Sequence, residues 1–154
     1  MNEPRSTPDE VAAWAVAQPP GGAVLCALEA VDPQRLSGQG WLDYLAAVQR
    51  QQSLLSALQH DAVAKRAAAD ADAAAGRLDK CWVGEEIACA LTLSGPAAST
   101  LLATATALHR RPATMAMLRA GLCSTAHAEY LAEALCELDE PVAAAIEARV
   151  LEHA

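Results

Sequence analysis

Residues Glu85–Leu108 read EEIACALTLSGPAASTLLATATAL. Two apolar, alanine-rich segments flank Ser94-Gly95-Pro96, a combination that stops one helix and starts another. The stretch predicts two short helices joined by a tight turn at those three residues, the outline of a helix-turn-helix. Ile87, Ala88, Leu91, Leu93, Ala98 and Leu101 fall where the two helices are expected to touch. The outer face of the second helix carries Ser99, Thr100 and Ala103, with no Lys or Arg. Many proteins place such a unit in the DNA major groove. Here the shape points to DNA, and the cations that hold phosphate are missing from it.

The remaining sequence agrees with a helical fold. The 154 residues suit one domain. About a quarter of them are Ala, the best helix former, and there is no Phe. Strand-forming residues are scarce. The expected fold is an all-α multi-helix bundle with Leu packed on Ala. Its longest element spans about 41–75, where no Gly or Pro occurs and Trp41, Tyr44, Leu45, Val48, Leu55, Leu58 and Ala62 recur at helical spacing. Gln51 and Gln52 interrupt that pattern. Asp61 with Lys65 and Arg66 with Asp70 form pairs four residues apart. A helix of ~35 residues reaches ~50 Å, longer than a compact domain of this size. Its far end is expected to project, bend or pack on a second chain, with Gly76 as its stop.

Punctuation elsewhere is clear. Thr7-Pro8-Asp9-Glu10 is a capping box with Pro at the first helical position, and this helix ends before Pro19-Pro20. A short helix follows over about 23–30, then turns at Asp32-Pro33 and Ser37-Gly38-Gln39-Gly40. Pro112 opens a helix that Gly121 caps. Ser124 caps the next, which sets Ala128, Leu131, Leu135 and Leu138 on one face. Asp139-Glu140-Pro141 opens the last helix, with Val142, Ile146 and Val150 four apart. That helix still runs at Ala154, so a truncated reading frame or an excised fragment is expected. Residues 1–40 read as an N-terminal helical arm and 41–154 as the helical domain.

The net charge of −8 opposes tight non-specific binding to nucleic acid or to an anionic membrane. The charge is uneven. Residues 81–128 hold Arg110, Arg111 and Arg119 against Glu85 and Glu86, while 129–154 hold seven acids and Arg149. An anionic ligand is therefore expected at the middle of the chain, with Arg110, Arg111 and Arg119 as its phosphate contacts. No apolar run approaches the ~20 residues that span a bilayer, and the N-terminus is no secretion signal. Cys26, Cys81, Cys89, Cys123 and Cys136 show no C-x-x-C spacing and read as reduced, mostly buried thiols of a cytoplasmic protein.

Catalytic signals are weak. His60, His109, His127 and His153 lack ligand-like partners at helical spacing, so neither metal nor cofactor is expected. Glu129, Glu133 and Glu137 form an acidic stripe that reads as a solvated helix face. Cys123 and Ser124 at a helix start read as a packed thiol and a cap rather than a nucleophile. Gly21-Gly22 and Gly38-x-Gly40 lack the context of a phosphate loop.

From about Trp41 onward the chain resembles the actinobacterial thirteen-E-twelve repeat family, domain of unknown function 222. The resemblance rests on Glu86-Ile87-Ala88 with Leu91 and Leu93-Ser94, on Pro112-Ala113-Thr114 and Leu118-Arg119-Ala120-Gly121, and on His127-Ala128, Ala132-Glu133-Ala134-Leu135 and Glu147-Ala148-Arg149-Val150-Leu151. It implies a helical region that precedes an HNH endonuclease domain in longer members. The Cys- and His-rich metal-binding segment of that nuclease is absent here. Arginines that often follow the Leu-Ser of the family are replaced by Gly95-Pro96-Ala97.

Two functions are expected. In one, a non-catalytic module assists DNA binding, with Ser99 and Thr100 toward the groove and Arg110, Arg111 and Arg119 on the backbone of duplex DNA. In the other, a protein–protein module forms a homodimer, or takes a partner protein, through the Leu/Ala face of the long helix, with no nucleic-acid role.

Overall fold

The computed structural model describes residues 7–74 and 82–152, with the backbone alone over 71–74. The elements are α1 (Pro8–Ala17), α2 (Gly22–Glu29), a 3-10 turn (Pro33–Arg35), α3 (Gly38–Ala74), α4 (Val83–Leu91), α5 (Gly95–His109), α6 (Pro112–Arg119), α7 (Thr125–Ala134) and α8 (Glu140–Leu151). No strand occurs among the described residues. The fold is the expected all-α bundle with one long helix.

The caps act as their residue types predict. Thr7 and Glu10 close a reciprocal capping box on α1. Ser124 Oγ accepts the His127 N–H at the start of α7. Gly121, after α6, has φ 69°, a conformation that glycine alone adopts without strain. It also lies against α3: a Cβ there would sit 2.8 Å from Cβ of Arg50.

α3 is 37 residues long and begins earlier than expected. Ser37-Gly38-Gln39-Gly40 forms its first turn rather than a separate one, because Ser37 Oγ accepts the Gly40 N–H at 3.1 Å. A Cβ at Gly40 would overlap the Asp9 carboxylate, which accepts the Ser37 N–H at 2.9 Å and joins α1 to this start. Gln51 does not interrupt the packing. It is buried, and its Oε1 accepts the Gly21 N–H at 3.0 Å. The expected stop at Gly76 lies outside the described residues.

The core consists of three clusters ranged along α3. Ala47 packs with Ala15, Val24 and Leu28 of α1 and α2. Ala57 packs with Leu108, Leu118, Ala128 and Ala132 of α5, α6 and α7. Val63 and Ala64 pack with Val83, Ile87, Ala98 and Ala105 of α4 and α5. Alanine at the contacts lets helix axes approach closely. Leu108, Leu118 and Leu135 are the largest buried apolar side chains, each worth about 1.5–3 kcal/mol of transfer free energy.

α4 and α5 meet at 111°. The turn between them is Thr92-Leu93-Ser94, upstream of the expected Ser94-Gly95-Pro96. Ser94 is the cap of α5, and Gly95-Pro96 is its first turn, where a missing proline N–H costs no bond. Thr92 ends α4 at φ 56°. Ile87 and Ala98 are buried between the helices, with Ala88 and Leu101 beside them. Leu91 and Leu93, expected in that contact, are exposed.

Candidate functional site

The outer face of α5 is accessible at its first turns, where Ser99 and Thr100 are exposed. Two of its threonine hydroxyls bond back to the helix itself. Thr100 Oγ1 donates to the Pro96 carbonyl at 3.1 Å, and Thr106 Oγ1 to that of Leu102 at 2.8 Å. Further along, α5 walls two shallow grooves. In one, Ser99, Ala103 and Arg110 face Cys136, Leu138 and Glu140. In the other, Thr100 and Ala107 face Glu129 and Glu133. Carboxylates beside both grooves oppose a polyanion there.

The three arginines singled out by the sequence have separate fates. Arg110 is exposed at the groove rim. Arg119 is half-exposed and pairs with Asp61 across the α3–α6 contact at 3.3 Å. Asp61 also pairs with Lys65 at 2.8 Å. The hydrogen bond from Lys65, then the charges of Lys65 and Arg119, hold the Asp61 carboxyl below its usual range against an opposing desolvation. Arg111, expected on a phosphate backbone, is only 3% exposed. It forks onto Glu140, Nη1 to Oε1 at 2.9 Å and Nη2 to Oε2 at 3.2 Å. As folded, Arg111 is spent on holding α8, because a bidentate carboxylate satisfies a buried guanidinium as phosphate would.

Glu147 makes a second anchor at the same place. It is buried, and its Oε1 accepts the Thr114 N–H at 2.9 Å and the Thr114 hydroxyl at 2.6 Å. Thr114 lies in the first turn of α6, where N–H groups have no helical partner and the helix dipole favours negative charge. The acidic last helix thus supplies caps to α6. Sequence reading missed this, because the two residues are far apart in the chain.

His60 was passed over for the same reason. It is 2% exposed, and its Nδ1 lies 2.8 Å from the Ser56 carbonyl. A carbonyl only accepts, so Nδ1 donates to it, and the contact of Nε2 with Glu129 is an ion pair only when the ring carries a second proton. Nε2 lies 3.4 Å from Oε1 of Glu129 on α7. One member of the acidic stripe, read as solvated, therefore pairs with a buried imidazole. His127 is exposed and bonds to Ser124, Nδ1 to Oγ at 3.0 Å.

Among the described residues no group of three or more His, Cys, Asp or Glu is placed to hold a metal ion. Cys26, Cys89, Cys123 and Cys136 are free thiols, and the expectation of burial fails for three of them: Cys26, Cys89 and Cys136 are exposed. Cys123 packs partly into the Leu108–Leu118 cluster, and burial pushes its thiol pKa up. Cys81 lies outside the described residues. No single helix among the described residues is long and apolar enough to cross a membrane.

Exposed apolar side chains recur on two helices in particular. On α3, Leu42, Leu45, Leu55 and Leu58 are 62%, 54%, 57% and 49% exposed. On α8, Val142, Ile146 and Val150, spaced by four in the sequence, are exposed. Beside them an open apolar cleft of about 760 Å³ is lined by Leu122, Cys123, Tyr130, Leu131, Val150 and Leu151.

Compared with protein-family models, curated proteins and solved structures, the chain has no match.

Proposed function

We propose that this chain is a non-catalytic helical module that self-associates through α3. The observation that carries the reading is the run of half-exposed or more exposed leucines on that helix. Isolated exposed leucines need no explanation, but Leu45 and Leu55 share one exposed face of the helix, with Leu42 and Leu58 to either side of it. Trp41, Leu45, Val48, Gln52, Leu55, Gln59, Ala62 and Arg66 also fall on alternating steps of four and three residues, and all but the half-buried Val48 are exposed. That spacing suits a second helix wound against the first with a left-handed twist, and polar residues in the seam set register. The occupant is a second copy of the chain, whose α3 presents the same seam.

Sedimentation equilibrium from about 1 to 100 μM, a range that brackets the affinity of weak self-association, tests the reading. A monomer–dimer equilibrium is expected, lost in Leu45→Glu with Leu55→Glu. A wild-type chain that stays monomeric throughout overturns it.

A second reading has its own support. The 111° crossing and three-residue turn match helix-turn-helix geometry, with Ser99 and Thr100 outward and Arg110 near. In it, the module serves beside a nuclease of the kind the resembled family carries. Fluorescence anisotropy with duplex DNA at low salt tests it. Binding that weakens in Arg110→Ala supports it, and no binding at tens of micromolar protein, the upper reach of non-specific DNA affinity, rules it out.

A further inference from the structure

α8 is held differently from the other helices. Its packing is chiefly on α6. The residues it buries are Ala143 and Glu147, while Val142, Ile146 and Val150 stay exposed. A helix that turns a carboxylate inward and its branched apolar side chains outward gains little from hydrophobic burial. Two charge-assisted contacts tie it to α6, Glu140 on Arg111 and Glu147 on Thr114. Both lie at the first turn of α6. The segment from Cys136 to Asp139, which joins α8 to α7, is exposed throughout.

We infer that α8 is a displaceable latch that keeps Arg111 out of reach. In the docked state Glu140 and Glu147 occupy a guanidinium and one free amide of a helix start, that of Thr114, the groups that otherwise take phosphate or carboxylate oxygens. When α8 swings out on the Cys136–Asp139 link, both carboxylates leave with it. Arg111 then joins Arg110 as a second exposed guanidinium at the α5–α6 corner. The corner changes from charge-balanced to cationic with no change in the remaining core. Neither reading of the function is required for this.

Hydrogen exchange on the full-length chain measures the opening. The α8 amides and the Thr114 amide are expected to exchange at least about 10-fold faster than those of α5 and α7, because sub-global opening costs less than global unfolding. Glu140→Gln with Glu147→Gln should speed α8 exchange by a further factor of about 10, the equivalent of one net hydrogen bond, with α5 unchanged. Phenylglyoxal labelling of arginine then reads the consequence. Arg111 should label far more slowly than Arg110 in the wild type and approach it in the double variant. Wild-type α8 amides that exchange together with α5 overturn the latch, whatever the variant does. So does an Arg111 as protected in the folded double variant as in the wild type.

Discussion

His60 and Glu129 meet across the α3–α7 boundary, Nε2 to Oε1 at 3.4 Å. The imidazole is anchored from behind by the Ser56 carbonyl, and among the described residues no group forms a hydrogen bond with Nε2. The pair is the polar link between the middle of the long helix and the helix that carries the acidic stripe. Glu129 is about half-exposed, which limits its contribution. Glu129→Ala should cost about 1 kcal/mol and His60→Ala about 2–4 kcal/mol, the latter through the cavity left behind. A double-mutant cycle from urea unfolding should return a coupling of about 1 kcal/mol. Strict additivity of the two losses would show that the pair does no work.

Gly121 is required twice over, by its φ of 69° and by the approach of Arg50. The Arg50 guanidinium donates to the carbonyls of Val16 and Ala120, so α1, α3 and the end of α6 meet at this point. Gly121→Ala should lose about 2–3 kcal/mol from strain and displacement together. Gly38→Ala, with nothing within 4 Å of the added carbon, is the control and should lie within about 0.5 kcal/mol of wild type. Equal effects from the two would remove the claim.

Thr92 is the converse case. A β-branched residue at φ 56° is strained by its own Cβ, and the strain is confined to the turn of the α4–α5 pair. Thr92→Gly should raise stability by about 0.5–1 kcal/mol, seen as a higher Tm. A lower Tm would mean that the threonine side chain contributes more than its backbone costs.

The thiols divide by environment. Cys26, Cys89 and Cys136 are exposed, whereas burial raises the Cys123 thiol and lowers its thiolate fraction. Alkylation at pH 8 followed by peptide mapping should label Cys123 about 10-fold more slowly than the other three. Comparable rates would place Cys123 at the surface.

Asp61 predicts a pH effect with a definite sign. Its carboxyl is depressed in the folded chain, so its partners stabilise the fold above the unfolded value of about 3.9. That contribution disappears as pH falls through the lower folded value. Tm profiles of wild type and Asp61→Asn should therefore differ at pH 7 and converge in acid as pH falls through the depressed folded value. A gap that widens on acidification contradicts the assignment.

The helix boundaries were legible because caps act locally. Thr7 with Glu10, Ser94, Ser124 and Gly121 each meet partners within a few residues, and each marks an end that the fold respects. The functional surface was less legible, since the use of a polar side chain depends on what the fold brings opposite. Arg111 looks identical to Arg110 in the sequence, yet one is sealed and the other open. Gln51 reads as a break in an apolar pattern and is a buried anchor for Gly21. Val142, Ile146 and Val150 recur every four residues yet stay exposed, while Glu147 turns inward to the Thr114 amide and hydroxyl.

α3 contributes Ala47, Ala57 and Val63 to all three clusters, whereas α5 reaches only two of them, through Ala105 and Leu108. An axle shared by three wheels cannot be removed from one of them alone. Damage near Ala47 is transmitted along an unbroken rod of hydrogen bonds to the neighbourhood of Ile87, although no side chain connects the two directly. The molecule should therefore melt in a single step. A proline introduced at mid-rod should sever communication between its ends more thoroughly than any truncation of a core leucine.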